Sequence, residues 1–435
     1  MKFPFWPNPS GYRNIELGLS RVYQLLERLE NPHLKLPPTI HVSGTNGKGS
    51  TLSFLRSIFS ESGLKVHTYT SPHLVNFNER IILAGVEISD EFLNEILNEC
   101  KTAAEIHPKI EVTFFEGITV AAFLAFSRIK ADLLLLEVGM GGRLDATNVV
   151  PKVLCSIVTP ISFDHTDFLG KTLKKIAFEK AGIIKKNCPV FVGKQKLSAL
   201  KTIENQAFKL DSEAQIFGRD WKIKAKKNGF LFEGFGKKIA LPLPSLAGKH
   251  QIENASLAIA AALSQQKFNV TENHLKAAIQ KTFWPARLQK ITSGKFFEIL
   301  PENFELYLDG SHNIQGASTI FEFIKNKKFA KITLIFSMLE DKDCVGFLTK
   351  LTPKIDELIA IEIPDESKSR RAENIKEISE KLLIATQTAK SLEEALKKAA
   401  LQKNQKQPTI VLVCGSLYLA GYFLSENACT KSKIS

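Results

Sequence analysis

The chain contains few cysteines, methionines and tryptophans: its 435 residues include six cysteines, three methionines and three tryptophans. The cysteines are scattered, and no two of them form a Cys-x-x-Cys pair. Zinc sites and disulfide-stabilised small domains need recurrent cysteine spacings, so this distribution argues against both. Scattered cysteines of this kind are typical of the cytoplasm, and we expect that compartment.

The sequence also has few continuous apolar stretches. Residues 1–13 contain prolines and aromatic residues but no apolar core of a secretory signal. One long uncharged run extends from Gln407 to Ser425 and is interrupted by Gly415-Ser416. The run therefore indicates a buried strand over Thr409–Cys414 followed by a short helix, and we expect no membrane association.

Acidic residues are outnumbered by basic ones: 45 Asp and Glu against 58 Lys and Arg give a net charge of +13. Such an excess can attract anionic small molecules or nucleic acid. The lysines are spread along the chain, without arginine-rich segments or basic residues interleaved with aromatic ones. Solvated surface charge is therefore the favoured interpretation and no nucleic-acid partner is expected, although a nucleic-acid-binding ATPase stays open as an alternative.

The most informative motif is a glycine-rich segment at residues 44–50, Gly-Thr-Asn-Gly-Lys-Gly-Ser. A short β-branched run, Thr39–Val42, precedes it, and apolar residues at helical spacing follow it. A strand, a glycine-rich turn and a helix N-terminus together surround an anion with backbone N–H groups. Lys48 would neutralise phosphate, and the hydroxyl after it could reach magnesium, although Gly49 intervenes and the general pattern's first glycine is missing.

Strand and helix patterns alternate along the chain and predict an α/β fold. We expect an N-terminal mononucleotide-binding domain with a mainly parallel sheet and a small antiparallel sheet, then a smaller C-terminal Rossmann-like α/β domain. A second alternation starts after Trp284-Pro285, so the domains are expected at residues 1–284 and 285–435. The expected strands of the first domain are Lys65–Tyr69, Leu133–Val138, Val153–Val158 and Val190–Val192. Its expected helices are 14–30, Ser89–Ile106, Gly117–Arg128, Leu173–Ile184 and Asn254–Ser264.

Polar residues follow two of the expected strands. Glu137 ends Leu133–Val138 and is followed by the glycine-rich segment Gly139–Asn148, whereas His165 follows Val153–Val158 among carboxylates. At the carboxyl edge of a parallel sheet such groups point into the ligand crevice. A buried glutamate is costly unless it is paired or metal-bound, so Glu137 indicates a binding site. His165 could be a metal ligand, a base or a surface histidine.

Three further segments could contact a nucleotide. Residues 248–255 open an alanine-rich helix, residues 308–313 end a strand, and residues 284–288 place Arg287 at the expected domain junction. Helix capping explains the first segment equally well, and an Asx turn explains the second. Lys180, in Phe-Glu-Lys-Ala-Gly, would by default be a solvated helix lysine.

Taken together, these motifs resemble the folylpolyglutamate synthase/dihydrofolate synthase family of the Mur ligase superfamily over nearly the whole chain. The matching segments, in order, are SGTNGKGS, TSPHL, NERI, LEVGMGGRLDATN, DHTDFLG, FEKAGI, HQIENA, PARL and LDGSHN. The resemblance implies an ATP-dependent ligase that adds L-glutamate to dihydropteroate, to folates or to both through an acyl phosphate, as in bifunctional bacterial members. It also implies magnesium as cofactor, small-molecule partners only and a monomer.

The resemblance further implies roles for individual residues. ATP contacts are implied for Gly44, Thr45, Asn46, Gly47, Lys48, Gly49, Ser50, Asn254, Arg287, Asp309 and His312. Metal ligands are implied at Ser71, Glu137, His165 and Lys180, the last as a carbamylated lysine. Contacts to the pterin-bearing substrate are implied for Thr113, Phe114, Phe115, Glu116, Leu144, Asp145 and Ala146. Lys48, Glu137, His165 and Lys180 form the expected catalytic set.

Several alternatives stay open. The chain could be a folylpolyglutamate synthase only, or another Mur-type amide ligase. Peptidoglycan-building Mur ligases typically carry a UDP-binding domain ahead of the nucleotide loop, and Gly44 comes early for that arrangement. A degenerate, non-catalytic homologue is the third alternative, and the presence of Lys48, Glu137, His165 and Lys180 argues against it.

Overall fold

The computed structural model describes residues 4–8, 18–325, 327, 331–401 and 408–427. The described chain divides into two compact units. The first contains the residues up to Ser245 together with Gln251–Phe283, and the second contains Leu246–His250 and the residues from Trp284 onward. Residues 14–17 of the expected lead-in helix and Gln407 of the uncharged run lie outside the described residues.

The described residues of the first unit form eleven strands. They are β1 (Thr39–Ser43), β2 (Val66–Tyr69), β3 (Ile81–Leu83), β4 (Val86–Glu87), β5 (Leu133–Glu137), β6 (Cys155–Val158), β7 (Val190–Val192), β8 (Ala214–Ile216), β9 (Trp221–Lys226), β10 (Gly229–Gly234) and β11 (Lys237–Pro242). The helices up to residue 281 are α1 (Ser20–Arg28), α2 (Lys48–Glu61), α3 (Asp90–Glu105), α4 (Phe114–Arg128), α5 (Thr166–Leu169), α6 (Leu173–Ala181), α7 (Leu197–Lys209), α8 (Lys249–Ser264) and α9 (Glu272–Lys281).

Strands β1–β8 form one mixed sheet in the order β4-β3-β2-β5-β1-β6-β7-β8. All neighbours in it are parallel except at the β2–β3 and β3–β4 pairs. Strand β1 lies between β5 and β6, with Val42 opposite Glu137 and Ser43 opposite Val158. Strands β9–β11 form a separate antiparallel sheet. The expected mainly parallel sheet and small antiparallel sheet are therefore confirmed.

The core of the first unit lies on both faces of the large sheet. On one face, buried residues of α1, α3 and α4 pack with Leu134 and Leu136 of β5. A separate buried cluster joins β6 and β7 to α6 and α7 on the same face, since the register aligns Leu136 with His41, Ser156 and Val190. Ile40, Val42, Leu133 and Leu135 alternate with these residues and are buried on the opposite face. The sequence of a parallel strand that is covered by helices on both faces is typically apolar at every position. Residues 133–136, all leucine and all buried, follow this pattern.

The second unit contains a six-stranded sheet in the order β12-β13-β17-β14-β15-β16. Its elements are β12 (Gln289–Ile291), β13 (Phe304–Leu308), α10 (Ile314–Ile324), β14 (Lys331–Phe336), α11 (Cys344–Leu351), β15 (Glu357–Ala360), α12 (Ala372–Lys381), β16 (Thr386–Thr388), α13 (Leu392–Leu401), β17 (Thr409–Cys414) and α14 (Leu417–Asn427). The β12–β13 pair is antiparallel, and the other pairs of this sheet are parallel. This arrangement confirms the expected C-terminal α/β fold.

Two helices begin earlier than the sequence pattern predicts. Helix α4 begins at Phe114 and not at Gly117, because Thr113 and Glu116 form a capping box that starts the helix. Helix α8 begins at Lys249 and not at Asn254. The uncharged run forms strand β17 and helix α14, as expected. Within the described parts of the chain, no helix combines the length and the apolar composition that crossing a bilayer requires.

Packing around β5 predicts a large effect of truncation at Leu135, which is fully buried. Leu135→Ala should lower the free energy of unfolding by about 2–5 kcal/mol, because the close-packed neighbours on that face of the sheet can fill the remaining cavity only in part. The shift of the urea midpoint measures this loss. Leu197→Ala is the matched control, since Leu197 of α7 is 67% exposed. Equal shifts in the two variants would contradict this assignment of the core.

Candidate functional site

The glycine-rich segment leaves β1 and enters α2 through two left-handed glycines. Gly44 has φ +142°, and a Cβ there would overlap Thr159. Gly47 has φ +88° and precedes the first helical residue, Lys48. The first N–H groups of a helix have no intrahelical acceptor, so those of Lys48, Gly49 and Ser50 are available to an anion at this end. The local geometry is that of a phosphate-binding loop.

The middle of the loop is held by the segment after β6. The backbone N–H groups of Thr45 and Asn46 donate to Pro160 O at 3.1 and 3.2 Å. The Thr45 hydroxyl donates to Ser162 O at 3.2 Å and accepts from Ser162 N at 3.1 Å. These bonds fix the loop but occupy the backbone donors of Thr45 and Asn46. The donors left for phosphate therefore come from the helix end.

Asn254 lies beside the loop. A Cβ on Gly47 would approach Asn254 Oδ1 to 2.6 Å. The amide nitrogen of Asn254 donates to Gln251 Oε1 at 3.0 Å, and both side chains are buried at the start of α8. This residue of the implied ATP-contact set thus belongs to the same constellation as the loop.

Lys48 and Glu137 approach one another across the loop. Lys48 Nζ lies 3.9 Å from Glu137 Oε1 and 3.5 Å from Thr45 O. The other Glu137 oxygen accepts a hydrogen bond from Ser71 N at 3.2 Å. Glu137 is buried, and its position at the end of β5 follows from the pairing of β5 with β1. The buried carboxylate thus has a cation and a backbone donor beside it, the kind of partners that a buried acidic side chain needs.

Lys180 is buried and is not a solvated helix lysine. Its Nζ donates to Gly44 O at 2.8 Å, so helix α6 is joined directly to the phosphate-binding loop. Burial, together with the nearby charge of Lys48, lowers the pKa of Lys180 to about 7, although Asp164 and Asp145 oppose the shift. The side chain can therefore carry a neutral amine near neutral pH.

His165 lies at the start of α5 in a left-handed conformation, with φ +48°. Its backbone N–H donates to Asp164 Oδ1 at 3.0 Å, and its Nε2 lies 3.9 Å from Asp164 Oδ2. The side chain is 40% exposed. The segment after β6 thus presents an accessible imidazole next to a carboxylate.

The donor set fits a magnesium ion that shares its ligands with a triphosphate. No group of three or more His, Cys, Asp or Glu side chains suited to a metal is found among the described residues. Magnesium in nucleotide sites usually takes one or two carboxylates, with phosphate oxygens and waters as the other ligands. Buried Glu137, at the loop that would carry the phosphates, supplies such a carboxylate. The implied ligand roles of Ser71, His165 and Lys180 stay predictions.

The glycine-rich segment after β5 is organised around Asp145. Its Oδ1 accepts from Thr147 N at 3.0 Å and from the Thr147 hydroxyl at 2.5 Å, and its Oδ2 accepts from Met140 N at 2.9 Å. Asp145 and Ala146 are buried and Leu144 is half-buried. Burial raises the pKa of Asp145, and these hydrogen bonds oppose the rise. Asp145 therefore shapes the segment from within.

The segment from Thr113 to Glu116 has divided roles. Thr113 and Glu116 cap α4 reciprocally, and Glu116 also pairs with Arg21 through bonds of 3.0 and 3.2 Å. Phe114 is buried in the core, whereas the Phe115 ring packs directly on Gly139. Of these residues, Phe115 is the one that the structure brings onto the glycine-rich segment after β5.

The implied nucleotide contacts of the second unit are organised by Asp309. Its Oδ2 accepts from Leu288 N at 2.7 Å and its Oδ1 accepts from Ser311 N at 2.8 Å. The motifs around Arg287 and His312 are thereby joined. Arg287 Nη1 donates to Ala286 O at 2.8 Å, and His312 Nδ1 lies 3.0 Å from Gly310 O.

Sequence reasoning missed two side chains next to the phosphate-binding loop. His41 and Ser43 are fully buried on β1, yet both are polar. The sequence does contain a signal for them: His41 and Ser43 are two residues apart and alternate with apolar residues, so they share one face of the strand. Polar groups on a buried face need partners, which would have pointed to a neighbouring polar segment. Their partners lie in the glycine-rich segment after β5.

Comparisons with known proteins agree with this geometry. The model of the Mur ligase middle domain matches residues 42–262, and that of the dihydrofolate synthetase C-terminal domain matches residues 293–426. A dihydrofolate synthase/folylpolyglutamate synthase of Bacillus subtilis is 34% identical over 421 residues, which is 93% of each chain.

Two solved structures superpose over nearly the full length. Escherichia coli FolC in complex with DHPP and ADP has a TM-score of 0.84 and 31% identity, covering 94% of this chain and 93% of that one. A bifunctional folylpolyglutamate synthase/dihydrofolate synthase with Mn, AMPPNP and L-glutamate bound has a TM-score of 0.83 and 29% identity, covering 95% of both chains.

The crowding at Gly47 predicts that Gly47→Ala impairs nucleotide binding. The new Cβ would meet Asn254 at 2.6 Å on a backbone with φ +88°. The dissociation constant for ADP, measured by isothermal titration calorimetry, should rise about tenfold or more, because the loop or Asn254 has to move away from its present arrangement to admit the Cβ.

Gly63→Ala is the matched control for backbone strain. Gly63 follows α2 with φ +86°, and a Cβ there would meet nothing within 4 Å among the described residues. This variant should lose stability yet bind ADP as the unmodified protein does. Unchanged ADP binding by a folded Gly47→Ala variant would remove the loop from the nucleotide site.

Proposed function

This chain belongs to the dihydrofolate synthase/folylpolyglutamate synthase family of Mur-type ligases, and on that premise we propose that it joins L-glutamate to a pterin-bearing acceptor with ATP as co-substrate. The acceptor is dihydropteroate, a reduced folate or its polyglutamates, or both kinds. The observation that carries the proposal is the phosphate-binding loop with Lys48 and Glu137 at adjacent strand ends.

The chemistry explains why such a loop is needed. A carboxylate does not react readily with an amine, because the leaving group would be oxide. Transfer of the γ-phosphoryl group from ATP gives an acyl phosphate and ADP. The glutamate amine then attacks the acyl carbon, phosphate leaves, and an amide forms. Both steps build negative charge on phosphoryl and carbonyl oxygens, which positioned cations and backbone N–H groups stabilise.

Individual residues take roles in this scheme. Lys48 and the N–H groups at the start of α2 bind the phosphates and stabilise charge on the transferred group. Glu137, with Ser71, His165 and carbamylated Lys180, would hold magnesium, which when bound would neutralise charge on the phosphoryl oxygens. We assign contacts with the acceptor to Phe115, Leu144, Asp145 and Ala146, and the packing of Phe115 on Gly139 supports this assignment. The family resemblance implies further nucleotide contacts for Asn254, Arg287, Asp309 and His312.

We also propose the domain boundaries, the cellular compartment and the oligomeric state of the protein. The domains are residues 1–284 and 285–435, and the matched segments 42–262 and 293–426 lie on either side of this boundary. The protein is a cytoplasmic monomer with small-molecule partners. The scattered cysteines support a cytoplasmic location. The lysines are spread along the chain, which supports their interpretation as solvated surface residues and not as a nucleic-acid-binding surface.

The test is an ADP-release assay with purified protein, magnesium, ATP and L-glutamate, run separately with dihydropteroate and with tetrahydrofolate. ADP should form only when an acceptor and glutamate are both present, and mass spectrometry should show the acceptor lengthened by one glutamate. The acceptor that supports turnover decides between the two activities. ADP release that needs DNA or RNA and ignores glutamate would replace this function with that of a nucleic-acid-dependent ATPase.

Carbamylation of Lys180 is a second, separable prediction. A neutral amine reacts with carbon dioxide to form a carbamate, and burial gives Lys180 a pKa of about 7, below the usual 10.5. Because the amine is protonated below that pKa, carbamylation should be present above about pH 7 and be lost as the pH falls below it. Protein equilibrated with 13C-labelled bicarbonate should show a carbamate carbon resonance by NMR with this pH dependence.

The control uses a second, half-buried lysine of the same region. Lys185 Nζ donates to Asn148 O at 3.0 Å and to Asn148 Oδ1 at 2.9 Å. Lys185→Arg should keep the carbamate resonance, whereas Lys180→Arg should lose it together with ligase activity, because guanidinium cannot supply an oxygen ligand. A resonance that persists in Lys180→Arg, or full activity of that variant, would exclude the modification at this residue.

A further inference from the structure

Strand β1 carries polar side chains on one buried face, at Thr39, His41 and Ser43, and the Thr39 hydroxyl donates locally to Pro37 O. His41 and Ser43 are two residues apart, so they point to the same side of the sheet, and neither is exposed. A parallel strand between two others is normally apolar on both faces, and Ile40 and Val42 follow that rule on the opposite side. A buried polar side chain without a partner costs stability, so the partners of this pair indicate its purpose.

Both side chains bond to the glycine-rich segment after β5. The Ser43 hydroxyl donates to Gly141 O at 2.9 Å. His41 Nε2 lies 2.9 Å from Thr147 Oγ1. The strand that leads into the phosphate-binding loop therefore also holds residues 139–148 at two points, one near each end of that segment.

The protons in this network can be placed from its geometry. Asp145 accepts from Thr147 N, from the Thr147 hydroxyl and from Met140 N, and three donors favour its ionised form. The single hydroxyl proton of Thr147 is thus used toward Asp145. Thr147 Oγ1 must then accept from His41, which places the imidazole proton on Nε2. The relay runs from His41 Nε2–H through the Thr147 hydroxyl to Asp145.

The remaining atoms of the imidazole agree with this assignment. His41 Nδ1 is buried and has no hydrogen-bond partner among the described residues. A proton there would be a buried donor without an acceptor, so the neutral Nε2–H tautomer is the favoured one. Burial, helped by Lys185, lowers the pKa of His41 to about 3. The ring thus acts as a fixed donor and does not exchange protons in catalysis.

We propose that His41 is a positioning residue for the pterin-bearing acceptor, acting through Thr147 on Asp145 and the loop around it. The inference rests on the ligase function proposed above, in which Asp145 and its neighbours lie on the acceptor side. Strand β1, which carries His41 and Ser43, ends at Ser43, directly before the phosphate-binding loop. The same strand therefore positions both that loop and residues 139–148, which we call the acceptor loop. The hydrogen bonds from His41 through Thr147 to Asp145 involve only the acceptor loop and not the phosphate-binding loop.

The test compares variants that differ in the donor at this position. His41→Leu removes the donor and leaves the Thr147 acceptor unpaired, whereas His41→Gln can present an amide N–H near the original Nε2 position. KM for the acceptor that the unmodified enzyme uses, dihydropteroate or tetrahydrofolate, should rise about tenfold in His41→Leu, the size expected for one lost buried hydrogen bond. KM for ATP should stay unchanged, and His41→Gln should restore most of the acceptor KM.

A second buried histidine in the same sheet provides the matched control. His67 of β2 is fully buried, and its ring bonds to Ile129 O and to Ala84 N, each at 2.9 Å, away from residues 139–148. His67→Leu should lower Tm as His41→Leu does, yet leave KM for the acceptor as it was. This control separates lost stability from lost positioning.

The outcomes distinguish the inference from the function on which it rests. An unmodified protein that fails to ligate glutamate overturns the proposed function. An active protein whose His41→Leu variant keeps its acceptor KM, or loses acceptor and ATP affinity alike, overturns only the role of His41. If His41→Leu does not fold, Thr147→Ser and Thr147→Val give the same comparison, because only serine keeps the hydroxyl. Equal acceptor KM values in those two variants would also overturn it.

Discussion

The parallel pairing of β1 with β5 on one side and β6 on the other is the constraint on which the site depends. Parallel strands end at the same edge of a sheet, so the three segments that follow these strands meet there. The register sets Glu137 beside Val42 and Val158 beside Ser43. A slip by one residue would turn Glu137 to the other face of the sheet and remove the carboxylate from Lys48.

Charge at this edge is arranged for an anionic ligand. Two lysines approach the phosphate-binding loop: Lys48 at its helical end and Lys180 at the carbonyl of Gly44. Their mutual repulsion is one reason that the pKa of Lys180 is lowered. Nearby carboxylates, including Glu137, offset part of this positive charge. A triphosphate relieves the repulsion further, and in a poorly hydrated site each such interaction is stronger than in water.

Local pattern predicted the strand at residues 133–136 and the phosphate-binding loop at residues 44–50, because apolar runs, glycines and a helix start each have one dominant structural solution. Local patterns could not predict which side chains pair with residues that are distant in the sequence. Glu116 pairs with Arg21, 95 residues away, and Lys180 donates to a carbonyl 136 residues away. Both pairings depend on how helices α1, α4 and α6 pack on the sheet. The spacing of residues along the chain gives no information about that packing.

The buried polar pair on β1 shows why a core strand departs from the apolar rule beside a functional loop. Apolar residues of similar size at His41 and Ser43 would bury comparable area and need no partners, so stability alone does not require polar groups. Hydrogen bonds are directional, whereas apolar contacts tolerate rotation and small shifts. The hydrogen bonds of Asp145 fix the glycine-rich segment internally, whereas its position relative to the sheet depends on contacts with residues outside it. His41 and Ser43 help to fix its position through two hydrogen bonds from a strand that is buried along its whole length.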